Sequence, residues 1–101
     1  MEFLTRSKTK IRLTDERLNH ILTSHPEILE HVFDIGITIN KPDYLFEGSK
    51  EEYFAILDKK VFYFVVIYKE DMVKKDGFII TSFITKRINY LLKKKLIWKK
   101  K

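Results

Sequence analysis

The chain has 101 residues, of which 45% are apolar and 34% are charged, and its formal net charge is +6. This composition excludes a disordered chain and fits one globular domain, because the apolar fraction supports a core and the length supports only one. The absence of Cys excludes disulfides, a thiolate nucleophile and Cys-type zinc sites. No apolar stretch approaches the roughly 20 residues that cross a bilayer, and the first residues lack the apolar region of a secretory signal, so we expect a cytoplasmic protein.

A short strand over residues 10–13 and a helix over residues 15–24 are the first predicted elements. Thr14 is a suitable N-cap for this helix, and two acidic residues follow it where the helix macrodipole favours negative charge. On the side opposite the apolar residues, the helical period predicts a polar stripe. The stripe consists of Arg17, His20 and Ser24.

A second helix is predicted to begin at Pro26, because proline is well tolerated in the first turn, and to end near Asn40. Its apolar face is expected to pack on a sheet. The residues assigned to that face are Ile28, Leu29, Val32, Phe33, Gly36 and Ile39. His31 follows Glu27 by four residues, so an ordinary surface pair explains it.

Four runs rich in β-branched and aromatic residues predict strands, and the turns between them are polar. These runs cover residues 44–47, 53–57, 61–68 and 78–84. Thr85 then caps a third helix, in which Ile88, Leu91 and Leu92 have helical spacing. We therefore predict an α+β fold with two N-terminal helices packed on a four-stranded antiparallel meander, followed by a C-terminal helix and a basic tail.

The positive charge is concentrated near the C-terminus. Residues 85–101 include eight basic residues and no acid, which leaves 12 basic and 14 acidic residues in the first 84. This asymmetry predicts a polyanionic partner, either nucleic acid or an anionic membrane surface, although a solvated tail explains it equally well. We assign residues 1–92 to a single domain and residues 93–101 to the basic tail.

Two histidines are candidate catalytic groups. His20 lies on the polar stripe and His25 at the corner between two helices, and imidazoles act as general bases and acids near pH 7. A solvated His20 and a capping His25 are equally compatible with the sequence. Thr81 and Thr85 share one side of the last strand, and Lys69 ends the preceding long strand, so a phosphate bound nearby would give these groups partners.

The sequence predicts no metal site and no cofactor. The three histidines are spaced by five and six residues with a proline between them, which does not match the two ligands of an H-E-x-x-H helix. Residues 42–43 and 58–60 fit loosely the PD...D-x-K pattern of Mg²⁺ nucleases, but a hairpin turn explains residues 58–60 better. P-loop, Rossmann and serine-hydrolase motifs are missing from the sequence.

Four segments together resemble a known family. They are residues 13–27 (LTDERLNHILTSHPE), 41–47 (KPDYLFE), 65–69 (VVIYK) and 77–88 (GFIITSFITKRI). In this order they resemble the phage-associated nuclease-like domains of the Barnase-EndoU-colicin-RelE superfamily, over about residues 10 to 92. The resemblance implies RNA cleavage in a toxin or host-conflict role. It also implies that His20 and His25 match the helical histidines of the family, Lys69 its basic strand residue and Thr81 its strand hydroxyl.

The predicted function is metal-independent endoribonuclease activity that leaves a 2′,3′-cyclic phosphate, with His20, His25, Lys69 and Thr81 as catalytic residues. RNA is the expected partner, and an antitoxin or immunity protein would be a second one. The residues expected to bind RNA are Arg17, Thr85, Lys86, Arg87, Lys93, Lys94 and Lys95. The alternative is an inactive RNA- or protein-binding module of the same fold. The short apolar segment between the C-terminal lysines is insufficient for stable membrane anchoring, and the oligomeric state is left open.

Overall fold

A computed structural model describes residues 1–71 and 73–100, which fold around one seven-stranded sheet. The strands are β1 (Glu2–Leu4), β2 (Lys10–Arg12), β3 (Tyr44–Glu47), β4 (Glu52–Asp58), β5 (Tyr63–Asp71), β6 (Asp76–Thr85) and β7 (Lys95–Lys99). The α-helices are α1 (Asp15–Ser24) and α2 (Val32–Asn40), and 3₁₀ helices cover Pro26–His31 and Asn89–Lys93. Among the described residues, no helix is both long and apolar enough to cross a bilayer.

The predicted four-stranded antiparallel fold is wrong, because the sheet is larger and mixed. Strands β3 to β6 form an antiparallel meander. The sheet order is β1-β2-β6-β5-β4-β3-β7, so two strands extend one edge and one extends the other. Strand β2 pairs with β6 in the parallel direction. The short strand predicted over residues 10–13 is β2, whereas β1 and β7 were not predicted. These three strands have three to five residues each, too few for alternation to reveal their partners.

The predicted C-terminal helix is also wrong. Thr85 ends β6, and the chain then forms only the five-residue 3₁₀ helix Asn89–Lys93. Residues three apart share a face in a 3₁₀ helix, and accordingly Ile88 and Leu91 are both buried against the sheet while Leu92 is exposed. The spacing of these apolar residues therefore reflects one short turn that crosses the sheet, and not a longer α-helix.

The segment predicted as a basic tail contains the last strand of the sheet. Over Lys95–Lys99 it pairs with β3 in the antiparallel direction. The guanidinium of Arg6 lies 3.9 Å from the ring centroid of Trp98 and links this strand to the β1–β2 loop. Lysines along an exposed edge strand disfavour pairing with another chain, so their presence in β7 has a structural reason as well as an electrostatic one.

Both faces of the sheet are covered, which explains why its central strands are apolar on both sides. The helices cover one face through buried residues such as Ile21, Ile28 and Ile35, which pack with Phe64 and Val66. On the opposite face a smaller core forms beneath the crossing segment. It consists of Phe46, Phe54, Ile56, Val65, Ile88 and Leu91. Alternate residues of β5 thus belong to two different cores.

The first helix begins and ends as predicted, whereas the second differs. Thr14 accepts a 3.1 Å hydrogen bond from the backbone N–H of Arg17, as expected of an N-cap. The first turns of the second helix are the 3₁₀ helix Pro26–His31, so the 3.6-residue period fails there. Leu29 and Phe33 are consequently 66% and 92% exposed, and their predicted burial is wrong.

Candidate active site

The candidate site lies where α1 runs beside the outer edge of β6. Strand β2 pairs only with Asp76–Phe78, so within the described residues the rest of β6 pairs with β5 alone. A bulge interrupts this ladder, since Ile67 pairs with Thr81 while Tyr68 pairs with Ile79 and Ile80 is left over. Bulges bend a strand and re-aim its side chains. Ile80 and Thr81 lie at this bulge, and both line the cleft beside α1.

A cleft of about 270 Å³ occupies the space between α1 and this edge. Its lining residues are Arg17, His20, Ile21, Ser24, His25, Ile80 and Thr81. The polar stripe of α1 lines the cleft because its members are three and four residues apart and so share one helix face. The structure therefore brings together two imidazoles, one guanidinium and two hydroxyl groups. Four predicted site residues are among them: Arg17, His20, His25 and Thr81.

His25 is held on several sides. Its backbone N–H donates a 2.7 Å hydrogen bond to the carbonyl of Ile21 and closes the last turn of α1. Its Nδ1 lies 3.7 Å from Oε2 of Glu27, and its ring centroid lies 5.8 Å from that of Phe83. Nδ1 thus faces a carboxylate at ion-pair distance, and the other ring nitrogen has no hydrogen-bond partner among the described residues.

Sequence reasoning assigned Glu27 to the wrong histidine. His31 pairs instead with Asp34, whose Oδ2 lies 3.0 Å from Nδ1 of His31, and Lys59 binds the other oxygen of Asp34 at 3.2 Å. An i,i+4 pair requires an α-helical turn, and the segment between Glu27 and His31 is a 3₁₀ helix. Pro26, which lies between His25 and Glu27 and starts a new turn, was the signal in the sequence that these two residues pair.

His20 is the more accessible of the two cleft histidines. It lies on the exposed face of α1 and also borders a shallow depression beside Glu16, Asn19 and Thr23. In the part of the chain that the structure describes, His20 forms no ion pair with an acid. His20 is thus free to meet a substrate that enters the cleft from solvent.

Lys69, predicted as a catalytic residue, does not line this cleft. It lines a separate cavity of about 310 Å³ with Arg12, Glu70 and Asp76. Lys69 pairs with Phe78, on the other side of the bulge from Thr81 and at the end of β6 that pairs with β2. Its position near the end of a long strand did not show which part of β6 it lies beside, and for this reason the sequence placed it too close to the histidines.

Apart from Arg17, which lines the cleft, the predicted RNA-binding residues fall into two groups. Lys86 and Arg87 directly follow β6, and the hydroxyl of Thr85 donates to the Arg87 carbonyl at 3.0 Å and lies 3.2 Å from its N–H. Thr85 is about 13 Å along the strand from Thr81, at an ordinary rise per residue. The other group is at the far side of the fold. Its members are Lys93, Lys94 and Lys95. Lys95 begins β7, which is four strand spacings, roughly 19 Å, from β6, and Nζ of Lys94 lies 4.7 Å from the ring centroid of Phe54 in β4.

The acids of the loose metal-nuclease pattern lie together, but their oxygens are engaged by the backbone. Oδ2 of Asp43 accepts a 2.7 Å hydrogen bond from the N–H of Asp58, and Oδ1 of Asp58 accepts one of 2.8 Å from the N–H of Lys60. The first bond joins the residue before β3 to the end of β4, and the second lies within the β4–β5 turn. Over residues 1–71 and 73–100, no group of three or more His, Cys, Asp or Glu side chains is arranged to hold a metal ion.

Comparisons of the chain with protein-family models, with curated proteins and with solved structures found no significant match. The similarity to the Barnase-EndoU-colicin-RelE superfamily therefore stays a prediction from the sequence. What the cleft can do chemically follows from its own side chains, which combine two titratable imidazoles with a permanent positive charge.

Proposed function

We propose that the chain is a metal-independent endoribonuclease whose active site is the cleft between α1 and β6. The observation that carries the proposal is that His20 and His25 line one cleft together with Arg17 and Thr81. Two imidazoles in one site supply a general base and a general acid near neutral pH, and the guanidinium supplies a binding group for phosphate. This is the set of groups that RNA cleavage by its own 2′-hydroxyl requires.

In the proposed reaction, one imidazole removes the proton of the RNA 2′-hydroxyl, and that oxygen attacks the adjacent phosphorus. The bond to the 5′ oxygen breaks, and the other imidazole protonates that leaving oxygen. The products end in a 2′,3′-cyclic phosphate and begin with a 5′-hydroxyl. We assign the acid to His25, because Oε2 of Glu27 lies 3.7 Å from its Nδ1 and would stabilise the ring whenever it carries a proton, and the base to the exposed His20.

Arg17 and Thr81 would stabilise the charge that develops on the phosphate oxygens. Arg17 lies one helical turn before His20 on the same face of α1, so both reach one phosphate. A guanidinium binds phosphate through paired N–H groups, and a hydroxyl donates one more hydrogen bond. Lys69 has no part in this proposal because it lines a different cavity.

Lys86 and Arg87 would hold the RNA backbone where it leaves the cleft, since they follow the strand that carries Thr81. The lysines near β7 would contact a more distant part of a long RNA. We also propose that the protein acts in the cytoplasm, that it has a toxin-like role, and that an antitoxin or immunity protein binds it.

The test uses one RNA oligonucleotide and the DNA of the same sequence, both incubated with purified protein in EDTA. We expect cleavage of the RNA alone, because DNA lacks the attacking hydroxyl. His20→Ala and His25→Ala should each reduce the rate by about 10² or more, while Asn19→Ala, an exposed neighbour on α1, should leave it unchanged. RNA that is bound but stays intact would instead support the inactive binding module, and cleavage of both nucleic acids would contradict the mechanism.

A further inference from the structure

The chain between β6 and β7, residues 86–94, presents an exposed basic surface. This crossing segment contains four basic residues and no acid. Lys86, Arg87 and Lys93 are exposed, and none of the three forms an ion pair within residues 1–71 and 73–100. Uncompensated positive charge on one surface attracts polyanions such as a phosphate backbone.

One row of residues in the crossing segment faces the sheet. The backbone N–H of Leu91 donates to the carbonyl of Ile88 at 2.8 Å, and that of Lys94 donates to the carbonyl of Leu91 at 2.9 Å, which closes two successive 3₁₀ turns. Residues three apart share a face in such turns, and accordingly Ile88 and Leu91 are both buried. Nζ of Lys94 lies 4.7 Å from the ring centroid of Phe54, which belongs to the core beneath them. The residues that directly precede these three in the chain therefore lie on a different face of the segment.

That second face carries Arg87, Tyr90 and Lys93. Tyr90 is 50% exposed, and its ring stacks on no other aromatic ring among the described residues. Lys93 follows one 3₁₀ turn later, about 6 Å along the helix axis, and Arg87 directly precedes the first turn. Partial burial raises the pKa of Tyr90, so its phenol stays neutral at physiological pH and does not repel an anion. A neutral aromatic ring thus lies between two exposed cations along this face.

We propose that the crossing segment binds single-stranded RNA, with Tyr90 stacked on an unpaired base and with Arg87 and Lys93 bound to the adjoining phosphates. Proteins hold single strands without reading their sequence through this combination of aromatic rings and cations. The bases of a duplex stack on one another and leave the ring no free base face. The choice of RNA rests on the proposed function, because the segment begins where β6 ends and Thr81 of β6 lines the cleft.

An anionic membrane surface fits this segment less well. A helix that binds in a membrane interface buries a broad apolar face among the lipids. The 3₁₀ helix Asn89–Lys93 has only five residues, and because Leu91 is buried against the sheet, Leu92 is the one exposed aliphatic side chain of this helix. The charge and the half-exposed ring therefore favour a nucleic acid as the partner.

The experiment measures binding by fluorescence anisotropy with a labelled DNA of about 12 nucleotides, either single-stranded or annealed to its complement. DNA lacks the 2′-hydroxyl that the proposed cleavage uses, so the ligand stays intact and the result does not depend on catalysis. Tyr90→Leu should weaken binding of the single strand by about tenfold, because a stack between base and ring is lost, and should leave duplex binding unchanged. Tyr90→Phe keeps the ring and should bind as the unmodified protein does. The matched control is Leu92→Ala, which removes an exposed neighbour and should leave both affinities unchanged.

Four outcomes would overturn the proposal. They are an unchanged affinity of Tyr90→Leu for the single strand, an equal loss for single strand and duplex, an equal loss in Tyr90→Phe, and binding to phosphatidylserine vesicles by a protein that does not bind the oligonucleotide. If circular dichroism shows that Tyr90→Leu does not fold, NMR ring signals of Tyr90 in the unmodified protein take its place. These signals should shift upfield with the single strand and not with the duplex, and their failure to shift would equally overturn the proposal.

The same measurements separate this proposal from the proposed function. Binding of the single strand that depends on Tyr90, without cleavage of RNA, would support the single-strand site and contradict only the active site. Cleavage of RNA without binding that depends on Tyr90 would contradict only the single-strand site.

Discussion

Replacement of Leu91 by Ala tests whether the C-terminal crossing segment is an integral part of the fold. Leu91 is fully buried in a core of only six buried residues on the face of the sheet opposite the helices. Truncation of a buried leucine costs about 2 to 5 kcal/mol, since it removes apolar burial and leaves a cavity. A domain of this size has about 5 to 15 kcal/mol of stability in total and loses about 4 to 8 °C in Tm per kcal/mol. We therefore expect Leu91→Ala to lower Tm by about 10 °C or more.

The adjacent leucine supplies a matched control. Leu92 is 63% exposed, so Leu92→Ala should change the free energy of unfolding by no more than about 0.5 kcal/mol. Urea unfolding followed by circular dichroism measures both variants under the same conditions. Equal effects of the two substitutions would refute the reasoning, because they would mean that the segment does not pack on the sheet as described.

Three further predictions concern the sheet, its buried tyrosine and the basic residues after β6. Gly77→Ala should destabilise the fold by about 1 to 3 kcal/mol in thermal melts, because a Cβ there would collide with the backbone oxygen of Lys69. Gly36→Ala should destabilise it less, because the new Cβ would meet only the side chain of Phe3, at 2.9 Å. The free energy of unfolding should fall above pH 10. The unfolded chain releases the Tyr68 proton at an ordinary pKa of 10.0, whereas burial, and then the charge of Glu70, raise the pKa of Tyr68 in the folded chain, so a high pH favours the unfolded chain. Tyr68→Phe should remove up to about 1.4 kcal/mol per pH unit of this slope in urea titrations, and an unchanged slope would contradict it. Lys86→Gln and Arg87→Gln should each reduce the slope of log K for single-stranded RNA against log salt by about 0.7, and a slope equal to that of the unmodified protein would exclude the substituted residue from the RNA interface.

The parts of the fold that could be predicted are those decided by local chemistry. The N-cap Thr14 and the acids after it define the start of α1, and the helical period of Arg17, His20 and Ser24 predicts the stripe that lines the cleft. Strand β3 covers the predicted residues 44–47, since β-branched and aromatic runs between polar turns are a local signal.

The parts that could not be predicted depend on partners distant in the sequence. The pairing of β2 with β6 joins residues 10–12 to residues 76–78 in the parallel direction, and β7 returns to the opposite edge to pair with β3. No local pattern encodes these choices, because strands of three and five residues are too short for a periodicity that identifies their partners. The residues of the site were also hard to predict, because their places depend on how strands distant in the sequence pair. Thr81 lines the cleft beside the bulge of β6, whereas Lys69 pairs with Phe78 on the other side of that bulge and lines a separate cavity.

Analysis of RNA ends after incubation in EDTA tests the central claim most directly. The unmodified protein and the variant in which His20→Ala and His25→Ala are combined are incubated with the same RNA, and the ends are identified by mass spectrometry. We predict 2′,3′-cyclic phosphate ends with the unmodified protein and intact RNA with the folded double variant. The same amount of cyclic-phosphate ends with both proteins would contradict the assignment of the cleft as the active site.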